Sequence, residues 1–386
     1  MQTPDASPRS VLFVISVGLI AVPVLRNQVA ELAARGVTVH VAGAPDAEFE
    51  QMVLAGGGHF HPWEVSRSVS GLRAEVRAVR ELRRIVESAN PDVVVAGTPK
   101  AGLLGVLVGR ASRVPRVIYT MHGLRLEGAH GAKRAVLWAL EFLACTLAHV
   151  VHCVGHDLAR RAAQLKLVRP GSAVVIGSGS AAGIDVERFA PADPDAVLAG
   201  RAALGVDPNR PLIGFVGRVT HDKGIADLAR MMDRFAVERP EAQLAVVGNI
   251  DGSHPGDAEL VEALRAQTNT VLVGPRSDVE KALRVFDLLV LPSIREGLPT
   301  VVIEAASCAV PTVAYACTGA RDAVENGVTG AVVPVGDDEA LIASVARYLD
   351  DDELRSKTGL AARERILREF DARSVVPALA DFYLDR

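Results

Sequence analysis

The chain has 386 residues, 49% of them hydrophobic and only 4% aromatic. That length exceeds one ordinary domain, and the composition disfavours an aromatic-rich β sandwich and favours helices packed on parallel strands. With 42 Lys and Arg against 46 Asp and Glu, the formal net charge is −4, which excludes a whole-molecule field that draws in nucleic acid.

In chain order, the first segment to interpret is VLFVISVGLIAVPVL, Val11 to Leu25, apolar throughout. It is too short for a bilayer span and is interrupted by Pro23. Asp5 beside Arg9 makes a poor positive leader, and no small-residue cleavage site follows cleanly. The expectation is a buried first strand running into a loop at Gly18, in a cytoplasmic protein without an export signal. VLFVIS, VLRNQVAELAARG and VTVHVAG then read as strand, amphipathic helix closed by Gly36, and strand. PDVVVAG, PRVIYTMHG and HVVHCVG continue the strands, and AVVIGSGS is expected to end them. After a polar, Pro- and Asp-rich stretch near residues 190–211 a second series follows: PLIGFVGRV, AQLAVVGNI, TVLVGP, DLLVLPS, PTVAYAC and GAVVPV. Strands alternating with helices imply right-handed crossovers and parallel sheets. Two such series predict two doubly wound domains, with a hinge near GSGSAAGID, Gly177 to Asp185, and a ligand cleft beyond the carboxyl ends of facing sheets. Gly18 stands alone in the first strand-to-helix turn, so no GxGxxG supports a nicotinamide enzyme. Cys145, Cys153, Cys308 and Cys317 form no CxxC pair and read as buried, reduced thiols.

Two segments of the second half carry chemistry. In SIREGLPTVVIEA, Ser293 to Ala305, a strand ends at Pro292 and Pro299 falls where a first helical turn begins, since its missing N–H costs nothing there. The N–H groups of Leu298, Thr300 and Val301 would then point out of the helix start and attract phosphate, while Gly297 lets an anion approach the backbone. Thr300 and Glu304 are i, i+4 neighbours; a carboxylate at Glu304 suits vicinal hydroxyls such as a ribose, leaving Glu296 for groups beyond the phosphates. The bland alternative makes Glu296 a cap and Glu304 a solvated face. GFVGRVTHDKGI, Gly214 to Ile225, adds a second strand end with Arg218 and Lys223, a planar fork and a point charge suited to a diphosphate.

GRVTHDKGI followed by PSIREGLPTVVIEAASCAVPTVAYACTGARDAVENGVTG resembles the donor half of the retaining GT-B glycosyltransferases of family 4, and the resemblance covers nearly the whole chain. It implies an α/β GT-B fold of two Rossmann-like domains: residues 1–185 for the acceptor, 186–368 for the nucleotide sugar, and a terminal helix, 369–386, returning to the first domain. It implies a UDP-sugar as co-substrate, with neither cofactor nor metal. By position, Arg218 and Lys223 would hold the diphosphate, Glu296 the donor sugar, Glu304 the ribose, and the backbone from Gly297 through Leu298, Pro299 and Thr300 to Val301 the distal phosphate. VGPRSDV, Val273 to Val279, matches the loop that receives the base, mostly through backbone near Arg276. Gly18 matches the loop where backbone approaches the donor diphosphate.

In the first half, GTPKAGLLG places Lys100 at the start of a helix expected near Ala101, with Thr98 as its cap. A cation there opposes the dipole, and a nearby anion would resolve the conflict; the alternative is a solvated lysine. VIYTMHGLRLEG puts His122 at a strand end. By itself such a histidine is as well a structural one; by resemblance it contacts the donor sugar near the reacting carbon. These two segments are similar to bacterial family 4 transferases that extend undecaprenyl-diphosphate-linked sugars, which implies an acceptor diphosphate at Lys100. The interdomain segment GSGSAAGIDVERF departs from the family by carrying Ala182 where many relatives have asparagine. Arg67, Arg73, Arg77, Arg80, Arg83 and Arg84 form a basic helix-like stretch suited to an anionic leaflet, with Glu75, Glu81 and Glu87 as alternative partners. The reading is therefore a hexosyltransferase for surface glycans, peripheral at the inner face of the membrane. Its rivals are a UDP-sugar 2-epimerase of the same architecture and a two-lobed sugar-binding protein.

Overall fold

The computed structural model describes residues 9–16, 22–65, 71–250 and 257–385; Gly18 and Arg67 lie outside them. The chain divides into two units, Met1–Gly183 with Ala372–Arg386, and Ile184–Asp371.

The first unit is a six-stranded sheet: β1 Ser10–Val14, β2 Thr38–Gly43, β3 His59–Pro62, β4 Val93–Gly97, β5 Arg116–Met121 and β6 Val150–Cys153. The crossovers are α1 Val22–Ala34, α2 Ala47–Ala55, α3 Leu72–Ala89, α4 Pro99–Ala111 and α5 Gly131–Leu147; α6 His156–Gln164 follows β6. All pairings are parallel, in the order β3-β2-β1-β4-β5-β6. Valine and isoleucine runs form these strands because both faces are covered, and β4 is buried at every residue.

The second unit repeats this plan with β7 Leu212–Val216, β8 Gln243–Val247, β9 Thr270–Gly274, β10 Leu288–Leu291, β11 Thr312–Tyr315 and β12 Gly330–Val333. Its helices are α7 Pro194–Leu204, α8 Ile225–Glu238, α9 Asp257–Ala266, α10 Val279–Leu283, α11 Thr300–Ser307, α12 Ala320–Ala323, α13 Asp338–Asp350 and α14 Asp352–Glu369. The order β12-β11-β10-β7-β8-β9 is again doubly wound, and all six expected strands are present. In each sheet the order reverses beside the first strand, and ligands of such sheets sit beyond the strand ends at that switch. The core of this unit is apolar, with Phe215, Met231, Met232, Phe235 and Leu341 fully buried.

The last helix, α15 Ala372–Tyr383, belongs to the first unit and packs on α1. Tyr383 donates its hydroxyl to Gln28 Oε1 at 2.8 Å, Arg35 pairs with Asp381 at 2.5 Å, and Leu379 is fully buried among Phe13, Val29 and Leu32.

Two expectations change. AVVIGSGS is not a strand; Val174 alone bridges to His152, because a four-residue apolar run followed by Gly-Ser-Gly-Ser turns away before it extends the sheet. The sixth strand is instead β3, an edge strand whose sequence HFHP is too short to show a strand pattern; Phe60 packs on Phe49, and His40 Nδ1 and His61 Nε2 lie 3.0 Å apart.

Candidate active site

Two loops build a charged cluster at the carboxyl end of the second sheet. One, residues 217–224, joins β7 to α8; the other, residues 292–299, joins β10 to α11. They touch backbone to backbone. Gly224 has φ +76°, and a Cβ there would lie 2.1 Å from the Pro292 carbonyl oxygen, so only glycine permits the approach. The Ile294 N–H donates to the Asp222 carbonyl at 3.1 Å and locks the register.

That approach brings Lys223 to Glu296, with Nζ donating to Oε1 at 2.5 Å and both side chains mostly buried. Arg295 donates to Asp222 Oδ2 at 2.5 Å, and Arg218 lies 3.7 Å from the same oxygen. Burial works to raise the Asp222 carboxyl, but the Thr220 hydroxyl, Arg295, Arg218 and Lys223 together hold it below the ordinary carboxylate value. Three cations and two carboxylates leave a positive excess, an arrangement that accepts a doubly charged anion once the carboxylates exchange partners. Arg295 and Asp222 were not foreseen. Each adjoins a residue that was, and only the loop contact shows that they share the cluster.

The turn after Glu296 buries Gly297, Leu298 and Pro299 and exposes Thr300, with Val301 partly covered. Pro299 is the cap rather than the first helical residue: α11 begins at Thr300, and Pro299 accepts from the Val302 N–H at 3.0 Å. No side chain caps this end. Glu304 lies one turn along and is partly buried. Burial pushes its carboxyl up to about 7, against the pull of Arg188 and with a push from Glu280. Arg188 is itself paired with Glu280 at 2.8 Å. Arg276 turns back on Asp278 in a bidentate pair, both contacts 2.8 Å, which holds that carboxyl down at about 2. The guanidinium is thus engaged locally.

In the first unit, His122 follows β5. Burial lowers its imidazole to about 4, so it is neutral at pH 7, with one nitrogen donating and one accepting. Its Nε2 edge lies over Gly97: a Cβ on that glycine would come within 2.8 Å. α4 starts at Pro99, two residues before the expected start. Thr98 stands at the cap position but does not cap; its hydroxyl meets Ser16 Oγ at 2.7 Å. Thr98 also has φ +67°, a strained value for a β-branched residue, and such strain collects at functional sites. The charge conflict at Lys100 is resolved inside the chain, since Nζ donates to Glu75 of α3 at 2.6 Å. The expected external anion is therefore not required by the unliganded structure, because a carboxylate on the neighbouring helix already lies in reach.

Comparison with known proteins accounts for both halves. Residues 199–365 match the family model for glycosyl transferases group 1, and residues 21–179 match the glycosyl transferase 4-like domain. The capsular polysaccharide biosynthesis glycosyltransferase CapM of Staphylococcus aureus is 28% identical over 363 residues, 94% of each chain. An Escherichia coli UDP-Gal:alpha-D-GlcNAc-diphosphoundecaprenol alpha-1,3-galactosyltransferase is 26% identical, over 83% of this chain and 81% of that one. Among solved structures, HepE of Anabaena in complex with UDP-glucose superposes with a TM-score of 0.82 at 20% identity, covering 98% of this chain and 100% of that one. Two doubly wound units, a cationic cluster at the β7 and β10 strand ends, and family matches to both halves together establish that the chain belongs to the family 4 glycosyltransferases of GT-B fold.

Proposed function

We propose that this chain is a retaining, metal-independent transferase that moves an N-acetylhexosamine from a UDP-sugar to a polyprenyl-diphosphate-linked glycan in surface polysaccharide assembly. The observation that carries the reading is the meeting of Lys223 with Glu296 beside Arg218 and Arg295. A donor diphosphate would draw Lys223 away from Glu296, and the freed carboxylate would accept hydrogen bonds from the sugar. Glu304 would take the ribose hydroxyls, and the backbone from Gly297 to Val301 the distal phosphate. As the bond from the anomeric carbon to the phosphate oxygen breaks, the acceptor hydroxyl forms its bond on the same face. Its proton passes to the departing phosphate oxygen, and Arg218, Lys223 and Arg295 hold the charge on the leaving UDP. Neutral His122 polarises the sugar near the reacting carbon and need not be the base.

The E. coli relative's name specifies a UDP-sugar donor and a diphosphoundecaprenol-linked acceptor, which supports the same pairing here; CapM's name supports polysaccharide synthesis. Lys100 beside Glu75 would exchange that partner for the acceptor diphosphate. A membrane-borne acceptor would be met at the face formed by α3, α4 and α5, which pack side by side. On α5, Val136, Leu140 and Leu143 form one exposed stripe, 58%, 43% and 40% accessible, with Phe142 beside it. Exposed Arg73, Arg77, Arg80 and Arg84 run along α3 at helical spacing. An apolar ridge on α5 and a cationic stripe on α3, with α4 between them, suit an anionic leaflet. No helix among the described residues is long and apolar enough to cross a membrane.

The test is UDP release from a panel of UDP-sugars with and without a polyprenyl-diphospho-N-acetylglucosamine, in EDTA, with the product anomer read by NMR. Acceptor-dependent release with the donor's anomeric configuration kept is expected. Consumption without acceptor would indicate an epimerase, and an inverted anomer or a metal requirement would overturn the mechanism. His122→Ala should lower kcat strongly; near-normal turnover would remove it from the site.

A further inference from the structure

Beside His122 the first unit has a partly open cavity of about 30 Å³, lined among others by Phe13, Gln28, Thr120, His122, His152 and Tyr383. Parallel pairing aligns Gly97 with Thr120 and Thr120 with His152, so these positions share one face of the sheet. His122, two residues past Thr120, falls on that face as well.

The cavity is apolar in outline but not in its chemistry. His152 is fully buried and Thr120 nearly so. Neither ring nitrogen of His152 nor Thr120 Oγ1 has a hydrogen-bond partner among the described residues. The polar neighbours cannot serve them. Tyr383 gives its hydroxyl to Gln28 Oε1, and Gln28 gives its amide to the carbonyls of Val24 and Ala181 at 2.7 and 2.6 Å. Phe382 packs against the His152 ring at 5.2 Å and offers it no acceptor. A buried polar group left unpaired is costly, and a polar cavity takes up water when each molecule has about 10–15 Å³ and at least two partners. This volume holds about two.

We propose that water held in this cavity by Thr120 and His152 hydrogen-bonds the His122 imidazole, making His152 a positioning residue that selects the His122 tautomer. A neutral imidazole offers one donor and one acceptor, and which nitrogen carries the proton decides which it presents to a ligand. His152 acts through the water and touches no substrate. The consequence for turnover rests on His122 acting on the donor sugar, as proposed above; the hydrogen-bond chain itself does not.

The experiment uses the full chain with ¹⁵N-labelled histidine, reading the His122 ring nitrogens by NMR in wild type, His152→Phe and Thr120→Val. The first variant keeps an aromatic ring and the second keeps the side-chain shape, so a folding failure of one leaves the other as the test. Expected are one dominant His122 tautomer in wild type and a changed ratio in both variants. With it, kcat should fall on the order of tenfold at unchanged donor KM. His152→Gln, which can still hold water, should restore part of the shift. Unmoved His122 resonances in a folded variant, or a cavity dry at atomic resolution, would overturn the proposal. If His122→Ala keeps its turnover while the tautomer still responds to Thr120→Val, the catalytic reading fails and the water chain stands.

Discussion

Donor affinity should depend on the protonation of Glu304. Its carboxyl sits at about 7 because burial disfavours the charge, against an ordinary value of 4.5. Between those values the unfolded chain ionises this group and the folded chain does not, so stability falls as pH rises from about 4.5 to 7. The full cost, about 3.5 kcal/mol at roughly 1.4 kcal/mol per unit, is in place above pH 7. Ribose hydroxyls that donate to the carboxylate bind its ionised form. That form makes up about a tenth of the protein at pH 6 and about nine tenths at pH 8, so the intrinsic site is filled roughly tenfold more weakly at the lower pH. Calorimetric titration with UDP-N-acetylglucosamine, whose diphosphate does not titrate in this range, should therefore show Kd falling about tenfold from pH 6 to 8. Proton release should appear as a buffer-dependent heat. Glu304→Gln should bind with a flat pH profile and be more stable than wild type at pH 8. A Kd independent of pH in the wild-type chain, or an equal slope in Glu304→Gln, would refute the role given to this carboxyl.

Three further outcomes test the loops and surfaces. Gly224→Ala adds a Cβ against the Pro292 carbonyl at a φ of +76°, so it should cost about 2 kcal/mol or more and lower donor affinity, read by thermal melting and by titration. Lys100→Ala removes a largely covered ion pair with Glu75, so it should cost about 1–3 kcal/mol of stability, while the acceptor KM rises and the donor KM does not. Val136→Glu with Leu140→Glu should abolish sedimentation with anionic liposomes, and removing Arg73, Arg77 and Arg80 should weaken it by about 1 kcal/mol each at low salt; unchanged sedimentation in both would leave that face as ordinary surface.

How far the sequence exposes such a site depends on the range of the forces involved. Valine and isoleucine runs report burial on both faces, so β1, β4 and all six strands of the second sheet were legible. β3 was not, because four residues with one core-packing side chain, Phe60 on Phe49, are too few to show a strand period. Strand ends followed by Gly, Arg, Lys or Pro pointed to the two loops that form the charged cluster, since those residue types answer local demands of turn and helix start. Partners are another matter. Lys223 and Glu296 are 73 positions apart, and their pairing exists because Gly224 admits the Pro292 carbonyl. Lys100 was expected to need an outside anion, yet Glu75 on the next helix supplies one. A charge suited to a ligand is equally suited to a neighbour of opposite sign, and sequence cannot say which holds it before the ligand arrives. In the unliganded chain Lys223 is paired with Glu296 and Lys100 with Glu75. On the proposed reading, binding at Lys223 and at Lys100 is an exchange of partners, in which a donor or acceptor would compete with Glu296 or Glu75. Such a site would be emptied by removing the cation, but removing the competing carboxylate at Glu75 should tighten acceptor binding.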